Sequence, residues 1–308
     1  MTFFSILCVL VLEQVKALPA TRLQALLFAY ADWLEEKFNA GERRHGAVAW
    51  AVGAGLPAGC MLLLQIGTDL LHPLAGFALD IGVLYLTVGF RQFSHFFTDI
   101  HLALRAGEIE QARRLLGEWR GEGVERLSSA EIARLTIETG ILSSHRHVFA
   151  PLFWFMVAGP AGALLYRLSA CLAERWTEAG EVPTERARFG EFSREAFSLV
   201  DWLPARLTAI TFAIVGDFED AVFCWRTQAA QWTDTSAGIL LSSGAGALGV
   251  RLGQPLPGAT EIEARPELGL GEEVAVEHLQ SAVGLVWRAL VLCLMLLALL
   301  TVASWVGS

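Results

Sequence analysis

Long apolar stretches alternate with polar blocks along this chain, and the lengths of the apolar stretches decide its class. Residues 149–168, FAPLFWFMVAGPAGALLYRL, carry no charge before Arg167. The stretch opens on aromatics, is interrupted at Gly159-Pro160 and closes on Tyr166-Arg167, the pattern of a membrane helix with an interfacial end. Residues 46–71 have no charge before Asp69, enough for a helix to cross about 30 Å of hydrocarbon. His72-Pro73 makes a short connection to residues 74–90, which carry only Asp80 as a charge, so the two stretches predict a membrane hairpin. Residues 289–306 predict a last span, with Trp287 and Arg288 at one end and Trp305 at the other. These are four full spans.

The rest is shorter or more polar. Residues 1–18 are apolar up to Pro19 and lack a signal peptide's basic flank and small-residue cleavage site, so they predict a retained short helix. Over 20–44, Leu23, Leu26, Leu27, Tyr30 and Leu34 recur at helical spacing, with Asp32, Glu35, Glu36 and Lys37 on the polar face. In the polar block 91–147, residues 99–119 predict an amphipathic helix with Leu102, Ile109, Ala112, Leu115, Leu116 and Trp119 as its apolar set. Gly121 and Gly123 break it; Ser128 with Glu131 then reads as a capping box, and Leu127 with Ile132 as its hydrophobic staple. A helix over 129–139 follows, with Gly140 at its C-terminal cap. Gly180 and Pro183 make a loop in the charged stretch 174–194, and residues 192–215 are apolar around Pro204. Residues 236–250, SAGILLSSGAGALGV, are too short to span upright and suit close packing or a re-entrant turn. The Pro/Gly-rich, acidic stretch 253–273 reads as an exposed loop.

The fold class is therefore all-α, a polytopic membrane helical bundle with about four full spans plus short or re-entrant apolar helices and amphipathic extramembrane helices. One integral membrane domain is expected over 1–308, with parts at 1–45, 46–90, 91–147, 148–172, 173–284 and 285–308.

Composition sharpens this. Hydrophobic residues make up 54% and charged residues 18%, the latter below the roughly 25% of soluble proteins. Ten Trp suit membrane–water interfaces. A net charge of −9 without any basic run argues against a nucleic-acid partner. Membrane lipid, and another membrane protein or helix, are the expected partners. Arg43, Arg44 and the arginines from Arg91 to Arg146 flank the hairpin and place its ends in the cytoplasm. The five cysteines (Cys8, Cys60, Cys171, Cys224, Cys293) show no CxxC spacing and read as free thiols. The chain has no Walker sequence, nucleophile elbow or GxGxxG, and no cofactor or metal is expected.

Several stretches carry a resemblance. Residues 106–116 (AGEIEQARRLL), 137–139 (IET), 150–154 (APLFW), 159–167 (GPAGALLYR), 204–209 (PARLTA) and 246–253 (GALGVRLG), with Pro266-Glu267 later, resemble the CobD/CbiB family of membrane proteins in order and approximate spacing. Active members join an aminopropanol unit to a corrinoid carboxyl in cobalamin synthesis. Residues 1–13 (MTFFSILCVLVLE) and 200–207 (VDWLPARL) resemble the related AmpE family, associated with signalling of β-lactamase induction. The CobD/CbiB pattern ET-x-x-EN-x-SDG stands here as Glu138 and Thr139 followed by Leu142, Ser143, Arg146 and His147. The family's Asn-Thr-Leu-Asp is Ala170 to Ala173, its two Asp before the PARLTA stretch are Phe197 and Ser198, and its Ser-Pro-Asn-Ala-Gly is Asp234 to Gly238. Amide formation needs acids for proton transfer or for handling metal and phosphate. The resemblance with these departures implies a kept fold and a lost ligase site.

The candidate binding residues are Glu138, His145, Arg146, His147, Tyr166, Arg167, Asp201, Arg206 and Asp80. Glu138 either binds an ion near Arg134, Arg146 and the histidines or pairs with Arg134 at i, i+4. His145, Arg146 and His147 form either an anion or headgroup cluster or a solvated helix start; they lack the further ligands a metal needs. Tyr166-Arg167 is a site element or a snorkelling pair. Asp201 and Arg206 flank Pro204 as a polar pair, functional or structural. Asp80 faces protein or water, as a packing carboxyl or a functional one.

The first expectation is a non-enzymatic, AmpE-like regulatory protein of the bacterial inner membrane, with small residues such as Ala158, Gly162, Gly244 and Gly246 allowing close helix approach. The alternative is a cobalamin-pathway amide synthase with an altered site. A synthase is expected to gather acids such as Glu138, Asp80, Asp201 and Asp234; a converted protein shows Arg and His instead. A transporter has only Asp80 in its favour, and no repeat.

Overall fold

A computed structural model describes residues 2–15, 20–120, 127–177, 185–255 and 265–306. The chain runs through α1 (Thr2–Val15), α2 (Ala20–Phe38), α3 (Arg43–Trp50), α4 (Leu56–Leu71), α5 (Pro73–Thr87), α6 (Phe90–Arg105) and α7 (Ile109–Arg120). It continues through α8 (Ser129–Ser144), α9 (Ala150–Thr177), α10 (Glu185–Val215), α11 (Phe218–Gln228) and α12 (Thr235–Leu248) to α13 (His278–Val306). The strands β1 (Val250–Arg251) and β2 (Glu272–Glu273) form a two-residue parallel ladder between α12 and α13. The fold is an all-α polytopic bundle. One domain is expected over 1–308; the chain groups into two compact units, Met1–Phe90 with Arg146–Pro204, and Arg91–His145 with Ala205–Ser308.

Four helical stretches are long and apolar enough to cross a membrane: Arg43–Leu71, Ser129–Thr177, Arg188–Val215 and His278–Ser304. Their number is the one expected, but their membership differs. α5 has 15 residues, about 22 Å of helix, and ends where Val88 turns extended. α10 runs unbroken for 31 residues through Pro204, because a proline removes one backbone hydrogen bond without abolishing its neighbours'.

In the first unit, α9 is the helix that the others meet: α2, α4 and α5 all pack on it. Ala31, Leu34, Leu172, Trp176 and Phe189 form a buried cluster. Trp176 Nε1 donates to the Ala31 carbonyl at 3.1 Å, and Arg175 holds Asp32 through Nε at 2.7 Å and Nη2 at 3.1 Å. α9 breaks where the sequence said: Ala158 and Gly159 leave helical geometry, and Gly159 takes φ +62°, a value glycine adopts without strain. The helix continues to Thr177, beyond the expected end at 168. The loop expected at Gly180 and Pro183, and the breaks at Gly121 and Gly123, lie outside the described residues.

The second unit is built on close backbone approach. α12 presses on α11. A Cβ at Gly246 would stand 2.5 Å from the Asp220 carbonyl oxygen, and one at Gly238 2.3 Å from that of Ala229. Ser243 Oγ donates to the Ala209 carbonyl at 2.9 Å, which satisfies a hydroxyl in an apolar interior. The capping box of Ser128 and Glu131 starts α8.

Three expectations in this unit are corrected. Residues 99–119 form two helices, because Gly107 turns at φ +77°; Leu102 is consequently exposed while Ala112 and Leu116 are buried. Gly140 does not cap α8: the helix continues to Ser144, and Gly140 leaves room for the Phe97 ring, 2.8 Å from where its Cβ would be. The stretch 253–273 is not simply an exposed loop. Leu252 and Leu268 pair across a bridge and are both fully buried.

Two outcomes follow for purified protein in detergent. Gly246→Val should destabilise by about 1–3 kcal/mol through overpacking, whereas Gly284→Ala, with nothing within 4 Å of the new methyl, should hold or slightly raise the melting temperature. The buried Cys224 thiol is pushed up to about 11 by desolvation, with Asp220 adding to the shift. The thiol therefore stays protonated at pH 8, and alkylation followed by mass spectrometry should be slow there and accelerate as pH approaches that value.

Candidate functional site

The second unit gathers charge around one acid. Glu138 lies in α8, only 1% exposed. Its Oε1 accepts the Gly253 N–H at 2.9 Å, and its Oε2 accepts Arg265 Nη2. Arg134, one turn earlier, brings Nε to 4.0 Å from Oε1 and donates through Nη1 to Gln254 Oε1. Gln254 Nε2 passes the chain on to Glu267 Oε2 at 3.0 Å. The Arg265 guanidinium also lies over the Trp232 ring, 5.2 Å from its centroid. Arg120 donates to Thr139 Oγ1 at 3.3 Å; desolvation lowers its pKa, while the charge of Glu138 opposes that shift.

The first unit holds a second polar group at the start and middle of α9. Arg167 Nη1 lies 2.6 Å from His147 Nδ1. Arginine has only donors, so Nδ1 accepts and the ring proton sits on Nε2. The His147 carbonyl accepts the Gly89 N–H at 3.1 Å. Tyr166, fully buried, donates to Asp201 Oδ1 at 2.8 Å and packs on Phe197. Arg146 stands 3.7 Å from Glu174 and over Phe197, 5.9 Å from the ring centroid. Asp80 accepts Ser5 Oγ at 3.3 Å, so it faces α1.

His145 is buried in the second unit and shares a 3.0 Å hydrogen bond with Thr208 Oγ1. Arg206 is partly exposed in the second half of α10. Asp234 caps α12 through the Ser236 and Ala237 amides. The four acids named for a synthase thus each have a local partner: Asp80 and Asp201 in the first unit, Glu138 and Asp234 in the second. Among the described residues no three His, Cys, Asp or Glu converge as metal ligands.

Comparison with known proteins decides the family. The CobD/Cbib protein family matches residues 7–286. A Stutzerimonas stutzeri protein named cobalamin biosynthesis protein CobD is 36% identical over 300 residues, 96% of each chain. A Chromobacterium violaceum protein of the same name is 36% identical over 218 residues, 71% of this chain and 69% of its own. The Salmonella typhimurium cobalamin biosynthesis protein CbiB is 26% identical over 263 residues, 82% of this chain and 80% of its own. No solved structure matches the chain. The chain belongs to the CobD/CbiB family. It is a multi-pass protein of the bacterial inner membrane.

Membership overturns the first functional expectation. An AmpE-like, non-enzymatic regulator is not what the CobD/CbiB relatives indicate: all three are named for cobalamin biosynthesis, and the Stutzerimonas stutzeri protein aligns with 96% of this chain. The departures sit in a few short motifs, whereas the identity is spread across 300 residues and is not visible in any one motif. Within this CobD/CbiB chain, sequence reasoning also missed Arg265, Gly253 and Gln254 as neighbours of Glu138. Arg265 lies close to the quoted Pro266-Glu267 pair, and Gly253 closes the quoted 246–253 stretch. Both were therefore adjacent to the signal, but only folding brings them to α8.

Tyr166→Phe keeps the ring and removes the hydroxyl donor to Asp201. It should cost about 1–3 kcal/mol, seen as a lower melting temperature with an unchanged far-ultraviolet circular dichroism spectrum.

Proposed function

We propose that the chain acts in cobalamin biosynthesis as an amide-forming enzyme of the CobD/CbiB type, joining an aminopropanol unit to a corrinoid carboxyl. The observation that carries this reading is the 36% identity over 96% of both chains to a protein named for that pathway. The geometry around Glu138 supports it. Joining an amine to a carboxyl releases one water: the amine attacks only after losing a proton, negative charge builds on the carbonyl oxygen as the nitrogen adds, and the departing oxygen takes up protons to leave as water. Preset cations in a water-poor site stabilise such charge strongly. Arg134 and Arg265 are such cations, and Glu138 fixes the orientation of Arg265 while the Gly253 amide holds Glu138. In this reading the chain works with Glu138 and these arginines where the family pattern has acids at the positions of Leu142 and Arg146 and an amide at that of Ser143.

The test is complementation of a strain lacking its cobalamin amide synthase, fed the corrinoid acid precursor, with products measured by mass spectrometry. The expected result is the amide product, reduced at least tenfold by Glu138→Gln. No product from protein shown to be inserted in the membrane overturns the reading.

A further inference from the structure

The distances within α9 and its approach do not fit one straight helix. At about 1.5 Å of rise per residue, positions 147 and 167 would stand about 30 Å apart along an axis. Instead Arg167 Nη1 lies 2.6 Å from His147 Nδ1. Positions 146 and 174 would be about 42 Å apart, yet Arg146 Nη1 stands 3.7 Å from Glu174 Oε2. Positions 154 and 162 would be about 12 Å apart, yet a Cβ at Gly162 would collide with the Trp154 carbonyl oxygen. A single ring, Phe197, packs on Tyr166 and also lies under the Arg146 guanidinium.

The three pairs are disposed about one place, Ala158 and Gly159, where helical geometry is lost. The local sequence accounts for a reversal there. Gly159 turns at φ +62°, which a residue without Cβ allows. Pro160 then opens the second arm, where its missing N–H goes unneeded. Gly162 supplies the space in which the second arm passes the first. Met156 and Val157 beside the turn are exposed, and no charge occurs from Phe149 to Tyr166, so the tip is suited to lipid. Backbone that leaves the helical ladder at membrane depth has to be covered by protein. Gln65 of α4 does so: its carboxamide sits where a Gly159 side chain would be, and its Oε1 is buried without a hydrogen-bond partner among the described residues.

We propose that residues 147–167 form a re-entrant helical hairpin, which enters the membrane, turns at Ala158–Gly159 and returns to the side it came from. The stretch 149–168 then makes no crossing. An apolar run of this length has the same composition whether it spans or doubles back, so hydropathy cannot separate the two; the cross-arm contacts do. The proposal stands apart from the synthase reading. Its consequence is one of access: Arg146, His147, Arg167 and Glu174 gather at the open end of the hairpin, and whatever meets them arrives from that side. The arginine-rich flank before the hairpin marks it as the cytoplasm.

The full chain, with its five cysteines replaced by Ala, is spin-labelled at Arg146→Cys and Glu174→Cys, and the separation is read by double electron–electron resonance in lipid nanodiscs. A distance well under half of the roughly 42 Å of a straight helix is expected; a distance near that value overturns the proposal. Single variants of the otherwise natural chain guard against loss of fold on replacing the cysteines. Arg146→Cys and Thr177→Cys should each react with a membrane-impermeant maleimide from the same face, in inverted vesicles and not in intact spheroplasts, with the natural chain as the blank. Reaction of the two positions from opposite faces overturns the proposal as well.

Discussion

A carboxylate shut away from water has to be met by cations and donors, and the second unit is arranged around that requirement at Glu138. Removing one partner from a buried pair typically costs about 3–5 kcal/mol, because the other charge stays behind. Here the partners come from separate parts of the sequence: Arg134 from the same helix, Gly253 from just after β1, and Arg265 from the chain returning towards β2. One side chain therefore ties α8 to Gly253 and Arg265 at once. The Leu252–Leu268 bridge beside it supplies backbone pairing and two buried leucines, so polar and apolar restraints act on the same short stretch.

The two units reach density by different means. The first fills space with large rings and branched chains, Trp176 and Phe189 against Leu34 and Leu172. Aromatic burial removes much surface per residue, and the Arg175–Asp32 pair satisfies polar groups beside it. The second brings backbones together and gives up side-chain volume at Gly238, Gly244 and Gly246. In a lipid environment, where apolar burial between helices gains little, close contact of this kind is a main source of helix association.

What the sequence disclosed tracks the range of each interaction. The helix break at Gly159, the capping box at Ser128 and the packing role of 236–250 depend on residues within a few positions of one another, and all were legible. Helix ends were less so. Gly140 has the composition of a cap, but Phe97, far away in sequence, needs the space that its missing side chain provides. Residues 192–215, apolar around Pro204, were not among the four expected spans, yet α10 runs through Pro204 as one helix. The neighbours of Glu138 were the least legible. Arg134 at i, i+4 is visible from spacing; Arg265 lies 127 positions away, and no periodicity connects it to α8.

The break in α9 also has a mechanical meaning. A helix resists bending through its ladder of backbone hydrogen bonds. At Ala158 and Gly159 that ladder is interrupted, and Pro160 has no N–H with which to restore it. The 28 residues of α9 are therefore two stiff rods joined by a torsional pivot. The torsions at Ala158 and Gly159 set the mutual tilt of the rods, while Trp176 and Arg175 anchor one end to α2.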